Sequence, residues 1–244
     1  MTAASAAPVQ LVLLAKRPRP GRVKTRLSPT YTPRQAADLA AAALQDTIDA
    51  VAAARCVGRV LAFDGPPGGW LPAGFGFVRQ RGDGLAERLR YAIADAYARH
   101  PLAVLLVGMD TPQVTPAMLE SAARSLVSSP YDAVLGPATD GGFWTIGMRR
   151  PHHAAFSGVP MSTATTCREQ LRQLAHLRLR VGILRPLTDV DDAATAEAVA
   201  AIAPRSRFAA CLGALRLDPA DGTRRSVVIA HAEPSGDHEG HSLL

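Results

Sequence analysis

The chain has 244 residues, 48% of them hydrophobic, which is enough to bury one sizeable core, and no low-complexity linker divides it. Its 27 Lys and Arg against 21 Asp and Glu leave a net charge of +6; six cations near the N-terminus account for all of it, and the remainder is neutral on balance. Three cysteines without CxxC spacing argue against a disulfide framework or a zinc site, and no run approaches 18 apolar residues, so a reduced, cytoplasmic protein with no membrane partner is the expectation.

In chain order, residues 1–8 are expected to be flexible, and the leading apolar run precedes its positive charges, the reverse of a secretory leader. Residues 9–15 (VQLVLLA) read as a buried strand. Directly after it come Lys16, Arg17, Arg19, Arg22, Lys24 and Arg26, six cations in eleven residues, interrupted by Pro18, Pro20 and Gly21 and by no acid. The carboxyl end of a strand is where open α/β sheets bind ligands, and convergent cations on a proline-restricted loop suit a nucleotide di- or triphosphate. Gly21 and Thr25 belong to the same expected phosphate site. The run is not a Walker loop, because Val23 stands where that motif needs Gly before its Lys. Nucleic-acid binders spread charge over a face and interleave aromatics; aromatics here are 5% and none lies in the loop, so no nucleic-acid partner is expected.

Thr32-Pro33-Arg34-Gln35 is a capping box that opens an Ala-rich helix to about Arg55. Strands are expected over residues 57–63 and 75–79. Gly82-Asp83-Gly84-Leu85 then starts a helix over residues 85–99, and its free N–H groups would suit an anion, which adds Gly82 and Asp83 to the phosphate site. The all-apolar run 103–107 (AVLLV) has the composition of a central parallel strand. Asp110 emerges just beyond it. A lone Asp there also caps turns, but a site that gathers phosphates needs a divalent cation and hard cations want carboxylate oxygens, so Asp110 is the first candidate ligand for Mg²⁺ or Mn²⁺.

Thr115-Pro116 starts the next helix, and strands over 132–136 and 143–148 flank Asp140-Gly141-Gly142. That tripeptide serves equally as a hairpin turn or as a close backbone approach to a ligand. Phe143 and Trp144 follow, one of which alternation sends into the core; the other could stack on a base or sugar. After a helix over 162–176 and a strand over 179–184 comes Thr188-Asp189-Val190-Asp191-Asp192. Asp192 reads as the cap of the next helix. Asp189 and Asp191 share one face, and either could complete the metal site with Asp110; Asp191 is preferred. Residues 195–215 are helical in pattern. Residues 216–244 are polar and expected to be disordered, and the three histidines there, His231, His238 and His241, lack the apolar periodicity that would hold a metal. Strand and helix alternate throughout residues 9–215, which argues a single doubly wound, mostly parallel α/β sheet.

Three segments in order, residues 15–27 (AKRPRPGRVKTRL), Gly108-Met109-Asp110-Thr111-Pro112, and Gly136-Pro137 through Asp140-Gly141-Gly142, resemble the radical-SAM/selenodomain-associated transferase family. That family lies within the nucleotide-diphospho-sugar transferase superfamily and has the glycosyltransferase-A fold. Lys24-Thr25-Arg26-Leu27 is also similar to the Lys-Ser-Arg-Leu loop of 2-phospholactate guanylyltransferases, and Asp189-Val190-Asp191 to a late acidic motif shared with molybdenum-cofactor nucleotidyltransferases. The resemblance implies a divalent metal at Asp110 and a late Asp, with nucleotide phosphates against the early loop. The chain departs from the pattern in three places: Met109 where Ser is usual, Phe143-Trp144 for a pair of tyrosines, and Met161 for a Trp.

Two reactions fit these residues. In nucleotidyl transfer from a nucleoside triphosphate to a small metabolite, phosphorylated or not, Lys24 and Arg26 would stabilise the departing pyrophosphate. In glycosyl transfer from a nucleotide sugar, Asp140 would activate the acceptor. In both, Asp140, Gly141, Gly142 and Trp144 line the acceptor side. The density of the cationic loop favours nucleotidyl transfer, since an extra phosphate gives it more to bind. A non-catalytic nucleotide- or RNA-binding module is the remote alternative.

Overall fold

The computed structural model describes residues 6–66 and 70–217. β1 (Ala7–Lys16) lies between β2 (Cys56–Asp64) and β4 (Ala103–Gly108), both parallel to it, and β3 (Gly76–Arg79) continues the parallel ladder beyond β2. On the other side, β6 (Phe143–Met148) runs antiparallel to β4 and to β5 (Ala133–Pro137), and β7 (Val181–Ile183) is parallel to β5. The order is β3-β2-β1-β4-β6-β5-β7. Only β6 reverses, so the other strands send their carboxyl ends to one edge.

Six α-helices occur among the described residues: α1 (Pro33–Ala53), α2 (Gly84–Arg99), α3 (Pro116–Ser128) and α4 (Thr166–His176) flank the sheet, and α5 (Ala193–Ile202) and α6 (Arg207–Leu217) pack outside α1. The apolar run of β1 feeds both faces. Leu11, Leu13 and Ala15 pack with α1 and α3 residues such as Leu44, Ile48 and Leu119, while Val12 packs with Leu89, Ile93 and Ala96 of α2. α1 explains its alanines in the same way. Its far side, with Ala36, Leu39 and Ala43, is covered by Val199, Phe208 and Leu212, so it is buried on two sides and small side chains let both neighbours approach.

The local start signals hold. Thr32 Oγ1 accepts from Gln35 N while Gln35 Oε1 accepts from Thr32 N at 2.8 Å, and Asp192 Oδ1 accepts from Thr195 N at 2.8 Å at the head of α5. Other expectations shift. The helical pattern over residues 195–215 is two helices, because the segment 203–206 contains Pro204, which cannot continue the ladder. The helix expected from residue 162 starts only at Thr166, since Ser162 is left-handed (φ 59°). β1 already begins at Ala7, inside the segment expected to be flexible. α6 runs to Leu217, two residues into the segment expected to be disordered; residues 1–5 and 218–244, the latter with His231, His238 and His241, fall outside the described residues.

Candidate active site

Three chain segments, far apart in sequence, are tied together at the carboxyl edge of the sheet. Asp110 follows β4, and its backbone carbonyl accepts from Val190 N at 3.0 Å. Gln113 Nε2 donates to Thr188 O at 2.6 Å. Val190 is buried among Leu27 and the residues between α1 and α6, which fixes the Thr188–Asp191 segment beside Asp110. The third segment is the cationic loop. Lys24, in left-handed backbone (φ 48°), precedes a short 3-10 turn, Thr25–Leu27. A non-glycine residue held there costs about 1–3 kcal/mol, which the surrounding packing must offset.

Lys24 is the hub of the cluster. Its ammonium lies 2.8 Å from Asp110 Oδ1 and 3.7 Å from Asp191 Oδ1, and it donates a hydrogen bond to Val190 O. The side chain is only 9% exposed, against 45% for Asp110. Arg26, 71% exposed, reaches Asp191 Oδ2 at 3.5 Å. Asp189 stands differently. Its Oδ1 is buried with no hydrogen-bond partner, and burial, reinforced by the charges of Asp110, Asp140 and Asp191 and eased by Lys24, pushes its carboxyl up to about 7.

Two cavities meet at Asp110. A smaller one, about 180 Å³, is lined by Lys16, Val23, Lys24, Thr25, Arg26 and Asp191 along with Met109 and Asp110. The larger, about 440 Å³, shares Lys16, Met109 and Asp110 and extends past Gln80, Arg88, Asp140, Phe143, Met161 and Ser162. Both Lys24 and Ser162, two of the three non-glycine residues with positive φ among the described residues, border these cavities. The main-chain N–H of Lys16 is directed at Met109 Sδ, 3.4 Å away, so the methionine lies between the lobes as a buried soft contact.

Of the six cations, Lys16, Lys24 and Arg26 line a cavity; Arg17, Arg19 and Arg22 are exposed and line neither. Gly21, at φ 71°, turns the loop and also stands outside. At the head of α2 it is Gly84 and Leu85, rather than Gly82 and Asp83, that border the larger cavity. Gly82 answers to packing instead, since a Cβ there would meet Glu87 Cβ at 2.6 Å.

The Asp140 turn is also partly structural. Asp140 lines the larger cavity while its Oδ1 accepts from Gly142 N at 2.8 Å. Gly141 (φ 90°) packs so closely that a Cβ would lie 2.0 Å from Ala164 O, so it is required by the fold, whereas Gly142 faces the cavity. Trp144 is 5% exposed and donates from Nε1 to Arg185 O at 3.1 Å. Both residues border the larger cavity, and Phe143 is the less buried of the pair. Sequence reasoning missed Gln80 and Arg88. Gln80 Nε2 donates to Ala15 O at 2.7 Å and Ala62 O at 2.9 Å across two strand ends, and Arg88 pairs with Asp64 at 3.0 Å; neither sits in a motif, and only the fold brings them to the cavity.

No group of three or more His, Cys, Asp or Glu side chains among the described residues is gathered closely enough to enclose a metal ion. The donor chemistry nonetheless fits one hard divalent cation. Asp110 is half-exposed at the junction, Asp189 offers a buried oxygen with no partner, and a lysine ammonium already serves as the positive charge between Asp110 and Asp191.

Comparison with solved structures defines the class. The chain is similar to the crystal structure of a provisionally assigned nucleotide-diphospho-sugar transferase from Desulfovibrio desulfuricans G20, with a TM-score of 0.78 and 26% identity over 86% of this chain and 96% of that one. At lower identity it shares the fold of CMP:2-keto-3-deoxy-manno-octonic acid synthetase complexed with CTP (TM-score 0.52, 12% identity, 81% of this chain and 98% of that one). It shares it also with 4-diphosphocytidyl-2C-methyl-D-erythritol synthase from Anaerococcus prevotii (TM-score 0.53, 8% identity, 80% and 96%). The architecture is that of the nucleotide-diphospho-sugar transferases. Residues 37–163, just over half of the chain, match the family described as uncharacterized proteins conserved in bacteria (DUF2064), and the chain belongs to that family. No curated protein matches it.

Proposed function

We propose that the protein is a divalent-metal-dependent transferase that uses a nucleotide, and that it moves a nucleotidyl group from a nucleoside triphosphate to a small metabolite, phosphorylated or not. The observation that carries this reading is the Lys24–Asp110–Asp191 ion cluster standing where a cationic lobe meets a larger, largely apolar one. Triphosphate charge belongs in the first, against Lys16, Lys24, Thr25 and Arg26; base, sugar and acceptor belong in the second, against Phe143 and Met161. Asp110 with Asp189 or Asp191 would hold Mg²⁺ or Mn²⁺. When bound, that cation supplies charge neutralisation and orientation of the phosphates for in-line attack.

An ionised phosphate oxygen of the acceptor, or a hydroxyl oxygen that releases its proton to solvent, attacks the α-phosphorus, the bond to pyrophosphate breaks, and the leaving group takes the electron pair toward Lys24 and Arg26. Cations there stabilise charge that develops only as the bond breaks. Arg17, Arg19 and Arg22, outside the cavities, add long-range attraction for a polyanion. The finer resemblance to radical-SAM/selenodomain-associated transferases and a cytoplasmic setting belong to the same proposal.

Glycosyl transfer is the second reading. It is favoured by Asp140 in the larger cavity, where a carboxylate would take the proton of an acceptor hydroxyl, and by the name of the Desulfovibrio neighbour. A matrix of nucleoside triphosphates and nucleotide sugars, each with Mg²⁺ or Mn²⁺, read by thermal shift, separates the two. Stabilisation by triphosphates alone supports nucleotidyl transfer, a preference for nucleotide sugars supports glycosyl transfer, and no metal-dependent stabilisation by either would sink both.

A further inference from the structure

Lys24 occupies a position at odds with a simple phosphate-binding role. Its ammonium is held by Asp110, Asp191 and the Val190 carbonyl, and the nearly buried side chain lines the smaller cavity. We propose that Lys24 is the resident counter-cation of the acidic cluster and exchanges places with the divalent cation, so that metal occupancy frees its ammonium for the phosphates. This inference rests on the metal-dependent reading above and concerns how that site is charged.

The physical reason is charge balance. Lys24 bridges Asp110 and Asp191, and Asp189, whose buried Oδ1 has no hydrogen-bond partner, feels the charges of both. With one lysine against Asp110 and Asp191 the two carboxylates are balanced, and a divalent cation held by the same carboxylates would have to share them with that ammonium, which like charge disfavours. The ammonium has somewhere to go. Lys24 itself lines the cationic lobe beside Lys16, Thr25 and Arg26, so rotation about its side-chain bonds moves the charge from the acids into that lobe. The left-handed backbone at Lys24, anchored by Leu27 N donating to Lys24 O at 3.0 Å, keeps the stem rooted between the two positions. Two consequences follow. Free enzyme binds metal weakly, because the metal must displace an internal cation; and metal binding strengthens the phosphate site by delivering one more charge to it, a reciprocal coupling.

The test uses the full chain. Mn²⁺ alone is titrated, by electron paramagnetic resonance of the free ion, into wild type, Lys24→Met and Lys24→Gln, the second of which keeps a donor for Val190 O and so guards against misfolding. In parallel, wild-type Lys24 is followed by reductive methylation and peptide mass spectrometry with and without Mn²⁺. Removing the resident charge should tighten Mn²⁺ binding about tenfold or more, and in wild type Mn²⁺ should expose an amine that is otherwise slow to react. Equal or weaker Mn²⁺ binding in the variants, with Lys24 labelling unchanged by Mn²⁺, overturns the exchange and leaves the metal-dependent reading standing. Failure of all three proteins to bind Mn²⁺ removes both.

Discussion

At the scale of single residues, position within the ion cluster sets how much each cation contributes. Lys24 is nearly buried and touches two acids, so Lys24→Ala should lower turnover by roughly 10²–10³-fold, the usual loss for one preorganised charge stabiliser. Arg26 is exposed and water screens it, so Arg26→Ala should cost only about tenfold. Steady-state kinetics on both variants checks the ranking, and equal losses would contradict it. Asp189 gives a pH signature. Its folded carboxyl is raised from 3.8 to about 7, so protonation favours the folded state: the contribution is fully present below about pH 4 and is lost as pH rises through 7. In chelator, Asp189→Asn should therefore melt higher than wild type at pH 8 and lose that advantage near pH 5. Parallel melting curves for the two proteins would mean that Asp189 is not held protonated. Much of this residue list was legible in the sequence, because a basic loop and acids at strand ends are chemical signals. That Lys24 faces Asp110 was not, since a contact between positions so far apart exists only after the sheet has formed.

At the scale of elements, two local devices hold the site's walls. Asp46 on α1 accepts from Arg207 N at 2.8 Å and Phe208 N at 2.9 Å, so one carboxylate caps α6 and fixes the layer that covers Val190. Asp46→Ala should cost about 1–2 kcal/mol, a typical cap loss, visible as a lower midpoint in urea; an unchanged midpoint would show that α6 docks by its apolar face alone. Gly141 is the second device. Gly141→Ala would drive a methyl into Ala164 O and require the turn bearing Asp140 to move, so stability should fall by more than about 1 kcal/mol and activity with it. Wild-type stability in that variant would mean that the turn relaxes freely. Helix starts were readable here from Thr32, Thr115 and Asp192, because caps are short-range chemistry. The break between α5 and α6 was harder to place, as the apolar pattern runs through it and only Pro204 interrupts. The Asp140-Gly141-Gly142 turn read equally well as hairpin or site because it serves the first role with Gly141 and borders the cavity with Asp140 and Gly142.

For the whole molecule, one reversed strand in an otherwise parallel sheet brings the basic loop, Asp110, the Asp140 turn and the late acids to the same edge. The net charge of +6 is a local property of that edge, half of it lining the cavities and half free in solvent nearby. Strand and helix alternation made the doubly wound architecture legible; the division into two lobes depended on Gln80 and Arg88, which sit in no motif, and on Met109, which the sequence marked only as a departure from the family pattern. The central claim is that a divalent cation at Asp110 is needed to hold nucleotide phosphates. Asp110→Asn keeps the shape of the side chain and removes its charge, so the most direct measurement is calorimetric titration of the preferred nucleoside triphosphate into wild type and Asp110→Asn, each with Mn²⁺ and with chelator. Binding by wild type only with Mn²⁺, and its loss in the folded variant, is the result predicted here; the same affinity in all four titrations would contradict it.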